Sequence, residues 1–191
     1  MKISAMGYSV RLKNISTDDA DRIALLANDP DIANNIAAPG KFPYPYTRGD
    51  ALAFIESARM AYLEGEGIHM CITLNDHITT VGVIGIKHID LDNKKGEIGY
   101  WLGKEFWGKG YAKEAIMLMT GFAFSRLKLN KIYANVLKFN QRSISLLIKL
   151  GFKKDAELRA NIQYGDKFVD ELIYSILSSE YQEKARIDVE E

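Results

Sequence analysis

The chain has 191 residues, enough for one domain with its own core. Hydrophobic residues make up 47% and charged residues 26%, an ordinary globular balance, and 25 basic side chains match 25 acidic ones, so net charge favours neither nucleic acid nor a membrane. No apolar run is long enough to span a bilayer, Met1 to Met6 lack a signal-like apolar stretch, and the single cysteine, Cys71, excludes an intrachain disulfide; a cytoplasmic protein is expected, one domain over 1–178 with a polar tail over 179–191.

Tyr8 to Leu12 alternates and predicts a first strand. Ser16 or Thr17 then caps a helix whose first turn carries Asp18 and Asp19, with Ile23, Leu25, Leu26 and Ala27 on its apolar side. Asp29-Pro30 restarts a short helical piece. Ala38 to Tyr46 holds Pro39, Gly40, Pro43 and Pro45 and must be irregular. Thr47 caps the next helix with Asp50 as its reciprocal partner, and Gly65 ends it. The period then changes. His69 to Leu74, Thr79 to Ile89 and Gly96 to Leu102 read as a three-strand meander, turning at Asn75-Asp76 and at Leu91 to Lys95.

A helix is expected from about Lys109 to Ser125, with Ala112, Ala115, Ile116, Met119, Phe122 and Ala123 facing the sheet. Lys131 to Leu137 is a further strand. Asn140 to Leu150 is a helix closed by Gly151. Phe152 to Arg159 and Lys167 to Leu177 form a last hairpin around Tyr164-Gly165-Asp166, and the tail from Ser178 frays. The order predicts an α/β fold with a mixed central sheet of about seven strands.

The informative stretch is Trp107-Gly108-Lys109-Gly110-Tyr111-Ala112. It lies between the strand Ile98 to Leu102 and a run of helix formers. The first N–H groups of a helix lack intrahelical partners and sit at the positive end of the macrodipole. Gly108 and Gly110 carry no Cβ, so a phosphate can approach the main chain closely, and Lys109 adds a cation. The spacing is neither G-x-G-x-x-G nor the Walker pattern.

These six residues resemble the coenzyme A loop of the GNAT superfamily of N-acetyltransferases, Q/R-x-x-G-x-G/A. Gly110 and Ala112 match its fourth and sixth positions. Trp107 departs from the usual Gln or Arg, and Trp-Gly-Lys-Gly-Tyr-Ala is similar to the branch of ribosomal-protein N-terminal acetyltransferases (the RimJ/RimL type). A second motif, Asn140 to Ser143 followed by Leu150-Gly151-Phe152, resembles the family segment N-x-x-A/S…l-G-F. The resemblance covers about Tyr8 to Leu177. It implies helices on both sheet faces and a splay between the fourth and fifth strands that admits the pantetheine arm. Acetyl-CoA is then the cosubstrate, held by Trp107 to Ala112, by Asn140 and Ser143, and by the main chain of Tyr100, Trp101 and Leu102. A homodimer through the terminal strands belongs to the same resemblance.

Many family members place a Tyr seven residues after the Asn as the acid for the leaving thiolate; here that residue is Leu147. The ribosomal branch instead implies Ser143 as general acid or thiolate hydrogen-bond donor. Glu97 alternates with Gly99 and Trp101 and sits where histone-type enzymes carry a base; the alternative is an exposed carboxylate beside Lys94 and Lys95. His88 and Asp90 could relay a proton through water or be simple surface residues. Phe42, Tyr44 and Tyr46 would wall the acceptor cleft, and Tyr164 raises the same question. His69, His77 and His88 lack metal-ligand spacing, so no metal is expected. Buried-looking Cys71 implies direct transfer without an acyl-enzyme.

The favoured acceptor is a protein or peptide α-amine. A polyamine or aminoglycoside would call for acidic groups, and Asp18, Asp19, Asp29, Asp31 and Asp50 lie near the first helices, where capping also explains them. A reading from another class is a non-catalytic acyl-CoA-binding regulator.

Overall fold

The computed structural model describes residues 4–36, 42–76 and 79–181. Pro39 and Gly40 of the expected irregular stretch, His77, and the tail beyond Tyr181 lie outside them. Among the described residues one sheet of eight strands organises the fold: β1 (Ser4–Met6), β2 (Val10–Asn14), β3 (Ile68–Leu74), β4 (Thr80–Asp90), β5 (Lys95–Leu102), β6 (Lys131–Leu137), β7 (Lys153–Tyr164) and β8 (Lys167–Leu177). Their spatial order is β1-β2-β3-β4-β5-β6-β8-β7. Every neighbouring pair is antiparallel except β5 and β6, which run parallel. The strand beyond the expected seven is β1, three residues long and too short for any periodicity. The first predicted strand begins two residues late, at Val10, because residues 7–9 make the turn after β1: Gly7 N–H donates to the Val10 carbonyl at 2.8 Å.

Among the described residues five α-helices cover the sheet: α1 (Ala20–Ala27), α2 (Pro30–Ile36), α3 (Arg48–Leu63), α4 (Tyr111–Ser125) and α5 (Gln141–Lys149). Ser16 and Asp19 cap the 3-10 turn before α1, and Thr47 and Asp50 cap α3, each reciprocally. Leu25, expected on the apolar side of α1, is instead 69% exposed. It lies about 200° round the helix from Ile23, which faces the core. Strand parity divides the interior. Met70, Ile72, Ile84, Ile86 and Ile98 pack with α4 and α5, while Cys71 and Val83 pack with α1 and α3. Helices therefore lie on both faces. The supposed fraying tail is docked as far as Tyr181, whose hydroxyl donates to the Met117 carbonyl at 3.0 Å.

The feature that positions the site is a failed pairing. β5 and β6 ladder only over Lys95↔Lys131, Gly96↔Ile132 and Glu97↔Tyr133. From Ile98 onward the strands part, leaving the β6-facing edge of β5 unladdered. The fourth and fifth predicted strands thus splay as expected. A bulge sits beside this splay, on β4. The β4–β5 register shifts between Lys87 and Asp90, with His88 at φ 52°. That extra residue turns His88 toward Glu97.

Candidate active site

The turn from β5 into α4 has the form the sequence predicts. Gly108 and Gly110 sit at φ 76° and 85°, in the left-handed region, and a Cβ on either would meet nothing within 4 Å. α4 begins at Tyr111 rather than Lys109, because Gly110 in that conformation is its N-cap. The first helical acceptor is the Gly110 carbonyl, which takes Glu114 N–H at 3.2 Å. The main-chain N–H groups of Gly108 to Lys113 have no acceptor among the described residues. They form an open anion cradle. Trp107 is pinned beside it, its Nε1 donating to the Leu102 carbonyl at 2.8 Å. The Arg142 guanidinium lies 4.0 Å from the Trp107 ring centroid, a cation the sequence reading passed over. Glu114 is a packing residue: it accepts the Ser9 N–H at 2.9 Å.

Between the parted strands runs a cleft of about 1020 Å³, lined by Glu97 to Leu102, Ala134 to Leu137 and Phe139 to Ser143, among others. Asn140 caps α5 by accepting Ser143 N–H at 3.1 Å, and its Nδ2 donates to the Asn35 carbonyl at 3.1 Å. Its side chain therefore ties α5 to α2. Ser143 Oγ lies 2.8 Å from the Tyr100 hydroxyl. Burial raises the Tyr100 pKa to about 12, with the Ser143 bond opposing, so the phenol keeps its proton at neutral pH. Leu147 is fully buried in the core. Tyr100 was expected to act through its main chain; only the tertiary fold brings its hydroxyl to Ser143, 43 residues away.

Glu97 is 8% exposed, so it is not a free surface carboxylate. Lys87 Nζ lies 2.9 Å from Oε1, and His88 Nε2 lies 3.9 Å from Oε2. Asp90 instead holds the β4–β5 turn, accepting Asn93 N–H at 2.8 Å. On this face a second hollow, of about 390 Å³, is walled by Phe42, Pro43, Tyr46, Phe54, His69 and Trp101, among others. Phe42 stacks on Tyr46 at 4.9 Å and meets Trp101 edge-on at 6.4 Å. Tyr44 departs from the expectation: it is 55% exposed and on neither wall. The Phe42–Tyr46 stack closes the loop and leaves Tyr44 at its apex. Tyr164 meets Phe139 edge-on at 5.1 Å and donates to the Asn34 carbonyl at 3.1 Å, strapping the last hairpin to α2. Cys71 is a core thiol whose pKa burial pushes up. Among the described residues no group of three or more His, Cys, Asp or Glu could hold a metal ion.

A sheet that opens beside an anion cradle is built to take a long, phosphate-tailed thioester in an extended pose. That defines the class as a coenzyme A-dependent acyltransferase. Residues 9–153 match the acetyltransferase (GNAT) domain, and the chain belongs to this family. It is an acetyl-CoA-dependent N-acetyltransferase. The chain is 32% identical to the uncharacterised N-acetyltransferase p20 of Bacillus licheniformis, over 89% of this chain and 93% of p20. Among solved structures it resembles the ribosomal L7/L12 α-N-protein acetyltransferase RimL in complex with coenzyme A, with a TM-score of 0.82, 15% identity, and coverage of 92% of this chain and 97% of that one. It also resembles the microcin C7 self-immunity acetyltransferase MccE in complex with acetyl-CoA and AMP, with a TM-score of 0.77, 23% identity, and coverage of 88% and 92%.

Proposed function

We propose that the chain transfers acetyl directly from acetyl-CoA to the α-amine of a protein or peptide, in the cytoplasm. The observation that carries this acceptor is the state of the acids. Among the described residues Glu97 is the one carboxylate placed as a base, and it is shared with the Lys87 ammonium at 2.9 Å. Asp19 is tied to Lys13, Asp31 to Lys104, and Asp50 to the start of α3. No free acidic cluster among these residues invites a polycation. An α-amine titrates near 7.7–8.0 and a lysine near 10.4, so at neutral pH freeing a lysine costs roughly 3–4 kcal/mol more. A site whose candidate base is a single carboxylate already paired with a lysine suits the α-amine.

In this scheme the Gly108–Lys113 amides, Lys109 and Arg142 hold the diphosphate, and the unladdered edge of Tyr100 to Leu102 holds the pantetheine arm. Acetyl-CoA supplies the activated acyl group. Glu97, directly or through water at His88, takes the proton that the amine nitrogen sheds as it bonds to the carbonyl carbon. The Ser143–Tyr100 pair donates a proton to the sulfur as the C–S bond breaks. The test is thiol release from acetyl-CoA with peptides bearing free N-termini, spermidine and an aminoglycoside. Peptides should give the highest kcat/KM. A preference for spermidine or the aminoglycoside would move the acceptor to small amines, and saturable coenzyme binding without amine-dependent release would favour a regulator.

A further inference from the structure

On the acceptor-side face, three strands align one column of residues. His69 on β3 stands opposite Gly85 on β4, and Gly85 opposite Gly99 on β5. Residues directly opposed across antiparallel strands project to the same face. The columns on either side are large: Cys71, Val83 and Trp101 on one, Lys87 and Glu97 on the other. The glycines between them leave a trough across β4 and β5. The two are not equivalent. A Cβ on Gly85 would come within 2.5 Å of His69 Cδ2, so the imidazole already fills that end. A Cβ on Gly99 would meet nothing within 4 Å among the described residues. The trough is floored by a ring over β4 and open over β5.

Its surroundings are aromatic, with Asp50 and Lys87 the charged groups in the lining. Phe42, Tyr46 and Trp101 form the contacts given above, and Phe54 meets His69 edge-on at 5.5 Å. Asp50 is bonded by Thr47 N–H at 2.8 Å, and Lys87 is paired with Glu97. His69 Nδ1 is buried with no hydrogen-bond partner among the described residues. Burial, with Lys87 adding, lowers the His69 pKa, so its ring is neutral. Gly99, Tyr100 and Trp101 line both this hollow and the larger cleft, so a group seated in the trough lies next to the parted strands.

We propose that the trough seats a bulky apolar group, aromatic or branched aliphatic, borne on or next to the carbon that carries the acceptor amine, and that Gly99 sets this preference. This inference rests on the acceptor reading above. The chemistry could come from two sources: the first side chain of a peptide, or a free arylalkyl amine.

The experiment compares wild type with Gly99→Leu. It measures kcat/KM for a Phe-initiated peptide, the same peptide initiated by Gly, phenethylamine and spermidine. Calorimetric titrations with coenzyme A and with phenethylamine accompany it. Wild type should prefer the Phe peptide over the Gly peptide by about tenfold or more. In Gly99→Leu that ratio should fall about tenfold and phenethylamine binding should be lost, while the coenzyme titration reports an intact cradle. Gly99→Ala, which adds one methyl into open space, should give an intermediate ratio and stands in if the Leu variant does not fold. Equal use of both peptides by wild type, an unchanged ratio in the variants, or a preference for spermidine would overturn the trough. Phenethylamine used as well as the Phe peptide would keep the trough and overturn the protein N-terminus as acceptor.

Discussion

Tyr100 and Ser143 illustrate what single residues contribute. A phenol raised to about 12 by burial cannot lose its proton near neutrality, yet it can pass one along a hydrogen bond. Ser143 Oγ lies 2.8 Å away, and both residues line the cleft. Ser143→Ala should lower kcat about a hundredfold while leaving the acetyl-CoA affinity within about twofold. Tyr100→Phe should cost less, about tenfold, and the double variant should match Ser143→Ala alone, since the two act as one unit. Steady-state kinetics with calorimetric coenzyme binding checks this; undiminished turnover in Ser143→Ala removes the acid role. Across the opened sheet, Glu97→Gln should move the acid limb of the kcat/KM profile up toward the free amine's own pKa, near 7.7–8.0. A profile superimposable on wild type would show that the proton leaves by another route. That Ser143 and Glu97 line the cleft was legible in the sequence, one from a motif and the other from strand alternation with the family resemblance. The Tyr100 hydroxyl and His69 were not. Both acquire meaning only from cross-strand register or from a helix 43 residues downstream, which no local pattern encodes.

At the scale of elements, capping chemistry was the most readable signal. Thr47 with Asp50, Asn140 with Ser143, and Gly151 at φ 92° all mark the helix ends the sequence announces. Short or displaced strands were unreadable: β1 has three residues, and the start of β2 is set by a turn. The β5–α4 turn depends on Gly110 at φ 85°. An alanine there carries about 1–2 kcal/mol of left-handed strain. Rotating the turn relieves that strain and takes its amides off the ligand. Gly110→Ala should therefore weaken coenzyme A binding about tenfold. Gly165, at φ 61° in the β7–β8 turn, is the control. Gly165→Ala should lower the melting temperature by a similar amount and leave the coenzyme affinity unchanged. Equal coenzyme affinity in both variants would detach the cradle from Gly110.

At the scale of the whole molecule, the sheet encloses tyrosines on both faces, and two of them titrate well above the usual phenol range. Tyr46 packs with the α1–α3 core, while Tyr100 sits against the α4–α5 core. Burial raises both to about 12; for Tyr46 the Asp50 charge adds to it. An unfolded tyrosine titrates near 10. Below pH 10 both states keep their protons, and the contribution of these groups to stability is constant. Between pH 10 and about 12 the unfolded chain sheds protons that the fold retains, so it binds fewer, and stability falls as pH rises. The limiting slope is about 1.4 kcal/mol per pH unit for each tyrosine. Above the folded pKa the loss is complete and the slope returns to zero. Urea unfolding at several points from pH 9 to 11.5 should show this decline in wild type. Tyr46→Phe and Tyr100→Phe should each remove about half of the part due to the pair, and should do so additively, because the two rings belong to separate cores on opposite faces. A decline of the same steepness in both variants would mean that the phenols ionise in the fold no later than in the unfolded chain, and burial would then not be what holds the Tyr100 proton.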